Sequence, residues 1–383
     1  MTTENVVLNS HPSEPLNLFR STLARLTPYN AGKSLGAVAH NAIGKERAKL
    51  NSNENPYGLL PGVEEQIICA IPNLFMYPDS EAVALRAALS KRLGVAANRL
   101  SFGNGSEDLL SVICRAVIED GDRVVTLYPS FPLHEDYAQM MGASVERVQV
   151  LPDLRIDLGR LVEQARIPAK MLILANPMNP VGSWLDPDQL KQLIECLPPR
   201  TMIVFDEAYA EYAWGKSYVS ATDLLSQSPN PWIVLRTFSK AWGLAGLRLG
   251  FGVCSSPGLC AGLDLVRTPF NTNALAQVAA LASLEQEANM RERVAFTNAE
   301  RDRVADALRA QGFNPARSRG NFLMFDTGEP SVDLAARLLH QGTMIKAWKQ
   351  PGYETFVRVS IGAPAENDKF LGDLKMVSQR KPS

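Results

Sequence analysis

The sequence is poor in several features that decide a function quickly. Five cysteines (Cys69, Cys114, Cys196, Cys254, Cys260) form no C-x-x-C pair, and only four histidines are scattered among 383 residues. Neither a disulfide scaffold nor a structural metal site is therefore expected. No apolar run approaches the ~18 residues of a membrane span, and the polar start MTTENVVLNSHPSEP lacks the basic-then-apolar layout of a signal peptide. The expected compartment is the cytoplasm. An excess of one charge is missing too, since 39 Lys+Arg against 40 Asp+Glu leave a formal net charge of -1. That balance gives no electrostatic reason to expect nucleic acid or a membrane surface as partner. Internal repeats, low-complexity tracts and charge blocks are also absent.

What is present fits a large globular protein. The composition is 46% hydrophobic and 21% charged, and at roughly 100–200 residues per domain the length predicts two or three domains. Short β-rich runs, DRVVTLY (122–128), SVERVQV (144–150), KMLILAN (170–176), TMIVFDE (201–207), PWIVLRTF (231–238) and LRLGFGV (247–253), alternate with amphipathic helical segments such as DPDQLKQLIECL (186–197). Near-continuous apolar strands bounded by helices indicate an α/β domain around a mostly parallel sheet, covered on both faces. From Asn273 to Gly312 the chain reads as one long proline-free helix, of the kind that bridges two domains. Beyond it, NFLMFD (321–326), SVDLAARLLHQG (331–342), MIKAW (344–348) and FVRVSIG (356–362) predict a smaller α+β domain. The expected division is an N-terminal arm joined to the small domain (1–52), a large α/β domain (53–270), and the long helix with the small domain (271–383).

Several motifs fail on inspection. GKSLG (32–36) matches the nucleophile elbow, but LTPYNA before it is no strand. GKS at 32–34 and 215–217 lacks the first glycine of a P-loop, with Thr27 and Ala210 in its place. FGNGSEDLL (102–110) carries Asp108 where a dinucleotide fingerprint needs its third glycine, which argues against NAD. The same segment still places Gly103, Gly105 and Ser106 at a helix start, where free N–H groups suit a phosphate. The plainer reading is that Ser106 caps the helix with Glu107 in its first turn.

TFSKAWGLAGLRLGF (237–251) holds Lys240 and Arg248 in an otherwise nearly uncharged stretch. A lone lysine usually reaches solvent, but one desolvated behind a buried strand is a nucleophile toward an aldehyde. Its companions favour the second reading. Asp206 ends the strand MIVFD, at the edge where open α/β sheets bind ligands. Tyr209 follows three residues later, Asn179 lies in NPMNPVG, Ser239 precedes the lysine and Arg248 follows it by eight. Together these supply what pyridoxal phosphate requires: a lysine for its aldehyde, a carboxylate for the ring nitrogen, donors for the ring oxygen and an anion cradle. A neighbouring carboxylate keeps the pyridine nitrogen protonated, which makes the ring an electron sink.

NENPYG (53–58), NPMNPVG (176–182), DEAY (206–209), SKAWGLAGLRLGF (239–251) and RVSIG (358–362) occur in the order found in fold-type I pyridoxal-phosphate aminotransferases. The chain resembles that family, and within it the histidinol-phosphate aminotransferase group, from LTPYN (26–30) to IGAPAEN (361–367). The resemblance implies the fold-type I architecture, with a large mostly parallel-sheet domain and a smaller α+β domain. It implies Lys240 as the cofactor's tether and general acid/base, with Asp206 on the pyridine nitrogen, Asn179 and Tyr209 on the ring oxygen, and Phe131 stacked on the ring. Gly105, Ser106, Glu107, Ser239 and Arg248 would surround the cofactor phosphate. Tyr77 would reach the cofactor of a neighbouring subunit, which implies a homodimer with shared active sites. On the substrate side the resemblance implies Arg358 for an α-carboxylate, together with Asn53, Tyr29 and Lys346. Lys346 stands where the family has an arginine, so it keeps the charge without the fork. Nearby Trp348 suits an imidazole or an aryl ring.

The reaction implied is ping-pong transamination in amino-acid biosynthesis, with histidinol phosphate as the first expected substrate and an aromatic amino acid as the second. A phosphoamino-acid decarboxylase or lyase would keep Lys240, Asp206 and Arg248, because the cofactor holder does not fix which Cα bond breaks. An aminotransferase-like transcription regulator would need a DNA-binding module, and the roughly 50 residues before NENPYG show no basic helix-turn-helix.

Overall fold

The computed structural model describes residues 19–27, 47–215 and 218–378. Its strands run in chain order as β1 (Ala48–Lys49), β2 (Leu100–Gly103), β3 (Arg123–Tyr128), β4 (Ser144–Gln149), β5 (Met171–Ala175), β6 (Met202–Asp206), β7 (Trp232–Thr237), β8 (Gly250–Cys254), β9 (Phe322–Asp326), β10 (Thr343–Met344), β11 (Lys346–Ala347) and β12 (Phe356–Ser360). A seven-stranded sheet has the order β2-β8-β7-β6-β5-β3-β4, in which only β8 runs antiparallel to its neighbours. The central strands MLILA and MIVFD are buried at every position, as strands covered on both faces must be. β4, at the edge, reads SVERVQ and is buried only at Val148. The flanking helices are specified locally. Asp186 and Gln189 form a capping box ahead of Pro187–Glu195, and Asp157 caps Leu158–Ala165 through the Arg160 N–H.

Reversal of β8 brings the start of the helix Ser106–Val117 against the sheet. Gly250 permits this, because a Cβ there would collide with the Ser106 nitrogen and the Gly105 carbonyl carbon. Parallel strands β3, β5, β6 and β7 then end in Tyr128, Ala175, Asp206 and Thr237, all of which line one cavity at the sheet's C-terminal edge.

A second, three-stranded antiparallel sheet has the order β11-β12-β9, and β1 pairs in parallel with β10. Helices Ser331–His340 and Pro364–Val377 pack against it, with Phe325, Phe370 and Leu374 fully buried. After β1 the chain continues along this sheet, with Leu50 bonded to Met344 and Ser360, and so delivers residues 51–54 to the cavity.

Three expectations are corrected. The helical stretch from Asn273 is two helices, Ala274–Leu284 and Glu287–Ala310, separated at Glu285 and Gln286; the Asn273 side chain caps the first. MIKAW is not one strand, because β10 and β11 join different sheets across Ile345. The strand expected from Leu247 begins at Gly250, since Arg248 takes a left-handed conformation with φ 59°. Among the described residues no helix is long and apolar enough to cross a membrane.

Candidate active site

The cavity between the two sheets measures about 840 Å³. Its floor comes from the ends of β6 and β7. Asp206 accepts hydrogen bonds from the Ala208 N–H at 3.0 Å and from His134 Nε2 at 3.1 Å. A carboxylate has no hydrogen to give, so Nε2 is the donor. His134 is 1% exposed, its Nδ1 is buried without a partner among the described residues, and its ring meets Phe131 edge-on with centroids 5.5 Å apart.

Beyond β7 the chain is pinned by Phe238, fully buried against Trp242 and Phe251, and by the bonds Phe238 N–H to Leu249 O and Leu244 N–H to Phe238 O. This anchoring holds Lys240 inside the cavity. Its ammonium donates to the Ser52 carbonyl at 3.1 Å and lies 5.8 Å from the Tyr209 ring centroid. Burial, reinforced by the Arg358 guanidinium, lowers its pKa to about 8. Roughly a tenth of the amine is then neutral at pH 7, far more than for an ordinary lysine, and this is the form that attacks an aldehyde.

An anion cradle lies at one end. Gly105 is the N-cap of Ser106–Val117 with φ 86° and no side chain caps this helix, so Ser106 is its first residue rather than its cap. The early N–H groups are left for a ligand. Arg248 stands beside them, 3.4 Å from the Asn104 carbonyl and 3.8 Å from Glu107, and a Cβ on Gly105 would collide with its guanidinium. Glu107 also accepts from the Tyr137 hydroxyl at 2.7 Å. The Ser239 hydroxyl is within 3.0 Å of Thr237 Oγ1.

The opposite end is built by the small sheet. Arg358 is 6% exposed and donates to Asn179 Oδ1 at 2.7 Å and to the Asn51 carbonyl at 2.8 Å, with Trp348 and Phe322 rings 5.9 and 5.6 Å from its guanidinium carbon. Asn53 donates to the Tyr209 hydroxyl at 2.9 Å and is held by Ser360. Lys346 pairs in register with Arg358 across β11 and β12, and burial, then Arg358 and Lys349, lower its pKa to about 8.

Thus Asn53, Gly105, Ser106, Glu107, Phe131, Asn179, Asp206, Tyr209, Ser239, Lys240, Arg248, Lys346 and Arg358 all line one cavity. Tyr77 does not: it is 83% exposed and stacks on Phe270 at 4.6 Å. Tyr29 lies outside the described residues. Sequence reasoning missed His134, Thr237, Ser52, Arg25 and Glu135. Only His134 left a usable signal, as the single histidine three residues beyond Phe131.

Pyridoxal phosphate fits this arrangement on two observations: a half-buried lysine and a buried carboxylate line the same cavity, and an uncapped helix start lies beside an arginine that leaves room only for glycine at 105. Comparison with known proteins agrees. Residues 45–374 match the family model Aminotransferase class I and II. Histidinol-phosphate aminotransferase 1 of Mesorhizobium japonicum is 48% identical over 95% of this chain and 100% of its own length. Histidinol-phosphate aminotransferase 3 of Rhizobium meliloti is 48% identical over 96% of this chain and 98% of its own length. Among solved structures, the histidinol-phosphate aminotransferase from Sinorhizobium meliloti in complex with pyridoxal-5'-phosphate superposes with a TM-score of 0.84 at 29% identity, covering 97% of this chain and 99% of that one. With these residues gathered at one cavity and this likeness running nearly end to end, the chain belongs to the pyridoxal-phosphate-dependent class I and II aminotransferases, in the histidinol-phosphate aminotransferase family.

Proposed function

We propose that this aminotransferase is a histidinol-phosphate transaminase, converting histidinol phosphate and 2-oxoglutarate to imidazole acetol phosphate and glutamate, a step of histidine biosynthesis. The observation that carries the reading is the cross-strand pair of Lys346 and Arg358 facing the cavity. Histidinol phosphate has no carboxylate, whereas glutamate has two. One site must therefore accept a phosphate in one half-reaction and a carboxylate in the other. A fixed guanidinium fork serves both anions, and a second cation beside it suits the doubly charged phosphate.

Pyridoxal phosphate supplies an aldehyde carbon that captures an amine and a protonated ring that draws off the electron pair left when a Cα–H bond breaks. Lys240 would tether the cofactor and, once displaced by the substrate's amine, move the proton from substrate Cα. Asp206, oriented by His134 and the Ala208 N–H, would hold the ring nitrogen's proton. Asn179 and Tyr209 would contact the ring oxygen, and Phe131 a ring face. Gly105, Ser106, Ser239 and Arg248 would take the phosphate, with Glu107 orienting Arg248.

We also propose a homodimer. Ile68, Ile71, Leu74, Phe75, Met76 and Tyr77 are all at least 47% exposed and form an apolar stretch that a second copy would cover, with Tyr77 turned toward that copy's cavity.

The test is a half-reaction screen. Purified holoenzyme is mixed separately with histidinol phosphate, phenylalanine and glutamate while the cofactor's absorbance is followed. Rapid conversion by histidinol phosphate and by glutamate is expected. Conversion by phenylalanine in preference to histidinol phosphate would replace this reading with an aromatic amino acid aminotransferase.

A further inference from the structure

One wall of the cavity carries two adjacent carboxylates, Glu135 and Asp136, beside Arg147. Glu135, on the first turn of the helix Leu133–Met140, is 3% exposed yet lines the cavity. One carboxylate oxygen accepts from Arg147 Nε at 2.6 Å, and among the described residues the other has only a long contact of 3.4 Å with Gln350 Nε2. A carboxylate offers about four acceptor positions, so this second oxygen has capacity that its neighbours do not fill.

Those neighbours are committed elsewhere. Gln350 Oε1 accepts from Trp348 Nε1 at 2.9 Å and from the Ser130 N–H at 3.2 Å. The Tyr128 hydroxyl donates to the Pro351 carbonyl at 2.9 Å, and the Arg147 guanidinium covers the Tyr128 ring at 4.9 Å from its centroid. These contacts fix the aromatic faces of Tyr128 and Trp348 in a chamber whose under-used polar atom is an acceptor. Asp136 also lines the cavity, and burial with the adjacent Glu135 raises its pKa to about 6. Cations at Lys346 and Arg358 and a carboxylate on this wall make the cavity complementary to a substrate that carries both an anion and a ring N–H.

We propose that Glu135 is a specificity-determining residue that accepts a hydrogen bond from a ring N–H of the amino substrate and so selects an imidazole over a carbocyclic ring. The inference deepens the histidinol-phosphate reading and rests on it. Arg147 keeps the carboxylate in place, while Gln350 fixes Trp348 as the facing wall.

The experiment compares kcat/KM for histidinol phosphate and for phenylalanine in wild-type holoenzyme and in the Glu135→Gln, Glu135→Asp and Asp136→Asn variants. Cofactor absorbance and Tm report folding. Glu135→Gln should lose about ten- to hundredfold on histidinol phosphate and little on phenylalanine, because only the first substrate has a ring donor. Glu135→Asp keeps the charge but withdraws the oxygen by one methylene, and should show a smaller loss of the same selectivity. It also carries the test if the glutamine variant does not fold. Equal losses on both substrates, or a selective loss that follows Asp136→Asn instead, would overturn the proposal while leaving the histidinol-phosphate reading intact. A wild type that converts phenylalanine but not histidinol phosphate would overturn both.

Discussion

Replacing Lys346 by methionine separates phosphate recognition from every other part of the reaction. The lysine lies opposite Arg358 in an antiparallel pair and near Lys349, and both cations repel its charge. Unit charges ~4 Å apart interact by ~4 kcal/mol at an effective dielectric constant of about 20. Desolvation consumes part of this, leaving the ~1.5–3 kcal/mol typical of hydrogen bonds to charged groups. kcat/KM for histidinol phosphate should therefore fall about ten- to hundredfold, with phenylalanine nearly unaffected. Stability should not fall with it. The unfolded pKa is near 10.5 and the folded one about 8, so below pH 8 the folded state carries an unfavourable charge that the methionine removes. Between pH 8 and 10.5 the folded protein releases this proton while the unfolded chain keeps it, and the variant's advantage fades. The same titration predicts that the wild-type preference for histidinol phosphate declines as pH rises through about 8. Lys346→Arg should abolish that decline, because a guanidinium stays charged. Lys240, which would be tied to the cofactor in the holoenzyme, serves both substrates and cancels in the ratio. Equal losses on both substrates, or a decline that persists in the arginine variant, would refute the assignment of a phosphate to Lys346.

Lys240→Ala should eliminate the covalent attachment of cofactor: borohydride reduction followed by peptide mapping should label Lys240 in the wild type and no lysine in the variant, and a label elsewhere would overturn the tether. Asp206→Ala should reduce kcat by about 100- to 1000-fold with a much smaller effect on cofactor affinity, while His134→Phe, which leaves the carboxylate but removes its donor, should cost about tenfold. Single-turnover kinetics and cofactor titration measure both variants, and near wild-type turnover in Asp206→Ala would remove that residue from the ring nitrogen.

The large sheet was legible because its central strands are short apolar blocks separated by helices, a pattern with few alternatives. Where the reading slipped, tertiary contacts decided. LSFG (100–103) is a strand of four residues whose place is fixed by antiparallel pairing to β8, a contact that no local periodicity announces. The break at Glu285–Gln286 occurs between two stretches that both favour helix, so propensity alone runs through it. Ile345 lies within a β-rich run, and the chain changes sheets there because β1, almost three hundred residues earlier, supplies the partner for β10.

For the site, the division between what could and could not be read follows the chemistry. Lys240, Asp206, Asn179, Tyr209 and Arg248 stand at strand ends or in the loops just after them, so the topology of an open α/β sheet gathers them and their types name the cofactor. The residues that orient them come from elsewhere in the chain and have no fixed spacing. His134 reaches Asp206 across 72 positions, and Lys240 finds the Ser52 carbonyl across 188. Substrate choice depends on a third kind of contact, between the two sheets. Gln350 meets Ser130 and Glu135 only because the loop after β11 lies over the helix after β3. Fold and cofactor therefore follow from motifs in order, whereas specificity follows from which side chains face one another once both sheets are built. That is why Glu135, an ordinary glutamate in the sequence, becomes informative only when its burial, its cavity-facing position and its loosely held second oxygen are seen together.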